Sequence, residues 1–100
     1  MMGCIHNFVQ SMHQTGDLAF VNSMIRCSKC GAGFEHDYYR GADGVIRVGL
    51  RVFAGSPYAQ VDPALIEAGK RERDSLIAQA RQRGMNVTYG ATTIGPHPGS

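Results

Sequence analysis

The chain has 100 residues, 43% of them hydrophobic, with 13 glycines, three cysteines and a formal net charge of +2. That length suits one domain, and so short a chain buries only a modest core, for which a metal staple is a useful supplement. The small net charge removes any nucleic-acid argument from composition alone, the odd cysteine count argues against a closed disulfide framework, and no apolar run reaches the roughly 18 residues of a membrane span.

Met1-Met2-Gly3 carries no apolar segment ahead of Cys4, so no secretory or lipoprotein signal is expected. Gly3 does not directly follow a single initiator Met, so acylation is not expected either. Two cysteines in a tight pair suit metal binding in a reducing compartment, and the cytoplasm is the expected location.

Residues 4–40 read as short strands holding all the cysteines. Phe8 to His13 forms a first strand, Gln14-Thr15-Gly16-Asp17 supplies turn chemistry, and Leu18 to Arg26 is apolar and β-branched enough for a second. Cys27-Ser28-Lys29-Cys30-Gly31 makes a tight turn, and Phe34 to Arg40 runs back as a third strand. Gly41-Ala42-Asp43-Gly44 is a hairpin signal of two or four turn residues, because Asp-Gly supports positive φ. From Val45 to Ala54 the pattern alternates, with Ile46, Val48, Leu50 and Val52 on one side and Arg47, Gly49, Arg51 and Phe53 on the other.

Gly55-Ser56-Pro57 ends that strand. Asp62-Pro63 reads as an N-cap followed by proline at the first helical position, and a helix runs to about Arg83 with Gly84 as its C-terminal cap. Ile66, Gly69, Leu76, Ile77 and Ala80 fall near one face, and Arg73 interrupts that stripe. Val87 to Tyr89 is a short closing strand, and 90–100 a flexible tail. These elements predict an α+β fold, a single domain over 1–89 in which a ribbon (4–40) opens an antiparallel sheet and the helix packs on the sheet.

Cys27-Ser28-Lys29-Cys30-Gly31 is the strongest motif. Two intervening residues let both thiolates face one ion, and the glycine takes the left-handed backbone such a turn favours. Cys4-Ile5-His6 is one residue tighter, a spacing that the longer imidazole can bridge. Twenty residues separate the halves, enough for a hairpin that brings them together. Buried cysteines without metal, or a redox pair, are the competing readings; the redox motif normally lies beside a βαβ pattern.

The pattern Cys4-x-His6-x-Phe8 followed by Cys27-x-x-Cys30-Gly31 resembles the zinc-ribbon class, in particular small ribbons whose first knuckle is C-x-H before an aromatic residue, as found in short proteins of bacterial viruses and mobile elements. The resemblance spans residues 4 to about 39. It implies one zinc ion on Cys4, His6, Cys27 and Cys30, with His13 or His36 as alternatives to His6. Four protein ligands leave no position for water, so the implied zinc is structural.

No catalytic set stands out: His36 and Asp37 face opposite ways on a strand, Ser56 lies in Gly-Ser-Pro, and no phosphate loop appears. No enzyme is expected. The candidate binding surface is Arg47, Arg51 and Phe53 with Tyr38, Tyr39 and Arg40 across the hairpin, and Lys70 and Arg71 on the helix. Arginines beside aromatic rings suit phosphates and bases, so the expected partner is nucleic acid or a nucleic-acid-handling complex. The same surface suits an adaptor or inhibitor of phage or mobile-element origin that binds a host protein. The plain alternative is a solvated strand whose arginine stems cover apolar surface.

Overall fold

The computed structural model describes residues 5–14, 21–56 and 60–95. It contains β1 (Phe8–Gln14), β2 (Val21–Cys27), β3 (Gly33–Arg40), β4 (Ile46–Phe53), α1 (Pro63–Gln82) and β5 (Val87–Gly95). The strands form one sheet in the order β1-β2-β3-β4-β5. The fold class is the α+β class that the sequence predicts.

The first four strands pair antiparallel in succession, and Gly44 supplies the positive φ (81°) of the β3–β4 turn. The fifth departs from expectation, because β5 pairs parallel to β4. A 20-residue helix between them carries the chain back along the sheet, the crossover that parallel neighbours require. The expected tail is also corrected. Thr92, Thr93, Ile94 and Gly95 pair with Leu50, Arg51, Val52 and Phe53, so β5 extends well past Tyr89. Cys4, the 15–17 turn, the 18–20 start of the expected second strand and 96–100 lie outside the described residues, as does the side chain of His13.

Alternation along the strands gives the sheet two unlike faces. Tyr38, Ile46, Val48 and Val87 bury themselves with Ile77 and Ala80 of α1, while Phe34, Leu50 and Val52 pack with Leu65 and Ala32. The opposite face carries no helix. Across it the register sets Ser11, Met24, Glu35, Arg51 and Thr93 in one row, and Val9, Arg26, Gly33, Phe53 and Gly95 in the next. Phe53 is wholly buried, with Gly33 and Gly95 as its row neighbours.

Asp62 caps α1 by accepting from the Ala64 N–H, and Pro63 opens it. The buried helix row is Leu65, Gly69, Arg73, Ile77 and Ala80, with the expected Ile66 and Leu76 partly buried beside it. Gly69 sets the helix close to β4, since a Cβ there would lie 2.8 Å from a Leu50 methyl. Arg73, which interrupts the apolar stripe in sequence, is accommodated at its edge. Its guanidinium lies 5.1 Å from the Tyr89 ring centroid, and its Nη1 donates to the Gly90 carbonyl at 3.5 Å. Arg81 donates from Nε to the Val87 carbonyl at 2.9 Å, so helix arginines satisfy part of the outer strand's backbone. No helix of the described residues is long and apolar enough to cross a membrane.

His36 joins helix to sheet. It is fully buried, and its Nε2 donates to the Gly69 carbonyl at 3.0 Å, which leaves Nδ1 without a hydrogen-bond partner among the described residues. Burial, followed by the Arg73 charge, depresses its pKa against the opposing Gly69 hydrogen bond and the charges of Glu72 and Asp37. The unfolded chain therefore binds this proton more readily than the folded one. Stability from His36 is complete above the ordinary value of about 6.5 and falls as the pH drops below it, by at most about 2 kcal/mol at pH 5. His36→Gln keeps an N–H donor without a titration, so denaturation midpoints measured from pH 7 to pH 5 should fall less steeply for the variant than for the native chain.

Candidate metal centre

β2 runs directly into the tight turn. The Gly31 N–H donates to the Cys27 carbonyl at 2.9 Å, the Cys27 N–H donates to the Ala32 carbonyl at 2.8 Å, and Gly31 takes φ 81°. This geometry turns both sulfurs to one side. The N–H groups of Lys29 and Asn7 each point at the Cys27 sulfur at 3.4 Å. Asn7 fastens the incoming chain through its carbonyl, which accepts from the Ser28 N–H at 2.9 Å, and through its amide, which donates to the Ser28 hydroxyl at 3.0 Å. His6 is thereby brought to the turn, its Nδ1 3.5 Å from the Cys30 sulfur and its ring against Phe8.

His6, Cys27 and Cys30 form a group that can hold a metal ion, each offering one ligand atom and all within 4.8 Å of one another. For tetrahedral zinc, bonds of about 2.3 Å to sulfur and 2.0–2.1 Å to nitrogen place ligand atoms about 3.5–3.8 Å apart, so the His6–Cys30 separation fits. Burial alone raises the Cys27 thiol pKa, but the Asn7 and Lys29 N–H groups, the Cys30 backbone and His6 outweigh it and lower the value to about 5. The thiolate is the form that binds metal. Of the alternative histidines, His36 is excluded as a ligand by its burial against Gly69, under the helix. Cys4 and the His13 side chain lie outside the described residues.

The turn is not an isolated appendage. Cys30 packs on the cluster of Ala32, Phe34, Leu50, Val52 and Leu65. Gly55, just beyond β4, lies so close that a Cβ there would sit 2.2 Å from the Cys30 carbonyl oxygen and 2.5 Å from the Gly31 carbonyl carbon. Read from the sequence, Gly55 merely ends a strand, and Asn7 is one polar residue among many. Their roles come from tertiary contacts, for which the only sequence signals were a glycine before Ser-Pro and an asparagine after the first half-motif.

The expected binding surface is divided and largely neutralised. Arg47 pairs with Asp43 at 3.0 Å, holding that carboxyl down to about 2, and Arg51 pairs with Glu35. Phe53 and Tyr38 are buried, which corrects their assignment to an exposed surface. Their strand positions face, respectively, a row of glycines and the helix. Tyr39 and Arg40 are exposed, with Tyr39 lying across Gly49 toward Gly90. Lys70 and Arg71 are exposed on α1, which covers the other side of the sheet from Arg47 and Arg51.

The chain matches no family model, no curated protein and no solved structure. The zinc-ribbon resemblance thus rests on the motif residues alone.

Gly55→Ala tests the seam behind the turn. Gly44 has nearly the same φ (81° against 83°) but nothing within 4 Å of the Cβ that alanine would add, so Gly44→Ala incurs backbone strain alone, about 1–3 kcal/mol. Gly55→Ala adds a clash with the Cys30 carbonyl. Denaturant titration should find Gly55→Ala the more destabilising of the two, and metal titration should find only that variant weakened in metal binding.

Proposed function

We propose that this chain is a non-catalytic binding module, held together by one structural zinc ion on Cys4, His6, Cys27 and Cys30, that engages another protein. The geometry of the three described ligands supports the metal half of this reading. Three donors and one open position would suit a catalytic ion; a cysteine two residues ahead of His6 closes the set instead. Zinc held this way acts on the fold, because binding energy at such a site is also folding energy.

The observation that carries the partner half is the company around the metal turn. Ile5 (78% exposed), Phe8 and Val9 all lie exposed on the segment that approaches it. Phe8 and Val9 are consecutive on β1 and face opposite ways, so the strand presents apolar side chains on both faces, which suits a protein partner. A nucleic-acid partner would use the Arg47/Arg51 face, but both guanidinium groups there are already engaged by carboxylates.

Metal analysis of the purified chain should give about one zinc per molecule. Cys4→Ser, His6→Ala and Cys30→Ser should each weaken zinc binding by at least about 100-fold, more than the loss of a group that merely supports a ligand. His13→Ala should leave it unchanged; a larger effect from His13 than from His6 would reassign the ligand. For the partner, a photoreactive p-benzoylphenylalanine in place of Ile5 should give a discrete protein adduct in the native cell extract, and the adduct should vanish in Cys30→Ser. Adducts to nucleic acid alone would reverse the reading.

A further inference from the structure

On the open face of the sheet, beside the metal turn, lies a groove of about 550 Å³. Its walls include Val9 and Ser11 of β1, Met24 and Arg26 of β2, and the turn from Cys27 to Gly31, so it opens onto the two cysteine ligands themselves. Register places Arg26 opposite Gly33 on one side and Val9 on the other, so a long basic side chain stands beside an aliphatic one. The Arg26 guanidinium leans toward the turn, near Gly31.

The electrostatics of this groove differ from those of the rest of the face. No lining residue is acidic, and neither Arg26 nor Lys29 has a carboxylate partner among the described residues. Both are exposed. Glu35, the acid nearest in register to Met24, is engaged by Arg51. Arg47 and Arg51 are thus answered within the molecule, whereas Arg26 and Lys29 meet no carboxylate among the described residues.

We infer that this groove docks an extended acidic segment of a partner protein, with an aliphatic side chain seated between Val9 and Met24 and carboxylates against Arg26 and Lys29. This rests on the reading of the chain as a protein-binding module and specifies the chemistry of the partner. Three observations select a peptide. The apolar part of the lining is aliphatic and offers no aromatic ring on which a base would stack. Two cations match a pair of carboxylates better than a tracked phosphate backbone. Among the described residues β1 is the last strand of the sheet and pairs on one side only, so its other edge suits main-chain hydrogen bonds to an extended segment.

The test uses the zinc-loaded full chain, labelled with ¹⁵N, and three probes: a nine-residue peptide alternating glutamate with leucine, the same peptide with lysine for glutamate, and a thymine oligonucleotide. The acidic peptide should shift the amides of residues 9–11 and 24–31. Its dissociation constant should rise at least about tenfold in Arg26→Glu/Lys29→Glu, and less in Arg26→Gln/Lys29→Gln. Lys70→Glu/Arg71→Glu, on the helix side, should leave it unchanged. The proposal is overturned if the lysine peptide or the oligonucleotide binds these amides as tightly, or if the acidic peptide shifts none of them. Should the Ile5 protein adduct persist in Arg26→Glu/Lys29→Glu and the acidic peptide bind that variant as tightly as the native chain, the groove is wrong and the module stands. Loss of zinc, or adducts to nucleic acid alone, would instead remove the module reading itself.

Discussion

The contact on which the rest of this molecule depends is the approach of Gly55 to the backbone of Cys30 and Gly31. It is a van der Waals seam between two parts of unlike stability. On one side, β3, β4 and β5 share a helix-covered core with a buried histidine and arginine threaded into it. On the other is the β1–β2 hairpin, of which, among the described side chains of hairpin and turn, Ile25 and Cys30 reach the apolar cluster under α1. A two-stranded ribbon is marginal in water without such support. The seam makes the metal turn a continuation of the core, so that ordering the three ligands also orders the ribbon.

Charge on the open face follows a simple division. Guanidinium groups over the helix-backed part of the sheet find carboxylates one strand or one turn away, Arg51 with Glu35 and Arg47 with Asp43. Partly exposed pairs of this kind add little to stability, but they lower the positive potential that an anionic partner would feel. On this face, positive charge without a carboxylate partner among the described residues is concentrated at the turn, beside aliphatic side chains. A formal charge of +2 conceals this arrangement completely.

Much of the fold was legible because its signals are local. The alternation through Ile46, Val48, Leu50 and Val52 fixed which side of β4 is buried, and Asp62-Pro63 fixed where the helix starts. The cysteine turn announced itself by spacing. What escaped prediction was decided at a distance. Thr92 to Gly95 contain turn-like glycine and no strong apolar run, yet β4 offers them a free edge and they pair with it. Phe53 alternates with arginines and reads as exposed, but it lies at the end of β4 between Gly33 and Gly95 and is wholly buried. Arg73 looked like an interruption because helical periodicity is blind to a side chain long enough to reach past the helix to Tyr89. Of the metal site, the described ligands were all legible, while the hydrogen bonds of Asn7 and the support of Gly55 were not.

The parallel pairing of β5 has a consequence for how the chain comes apart. β4, α1 and β5 are contiguous in sequence and close their own core, so this unit assembles from near neighbours along the chain. Among the described residues, β1 and β2 join it through the edge of β3, the Ile25 contact with the core and the seam at the turn. In the proposed zinc-bound form, loss of the ion would remove the tether of the outer ribbon first and bare the β3 backbone to any passing strand. A chain built this way would meet metal scarcity as an aggregation hazard before it met it as a loss of fold.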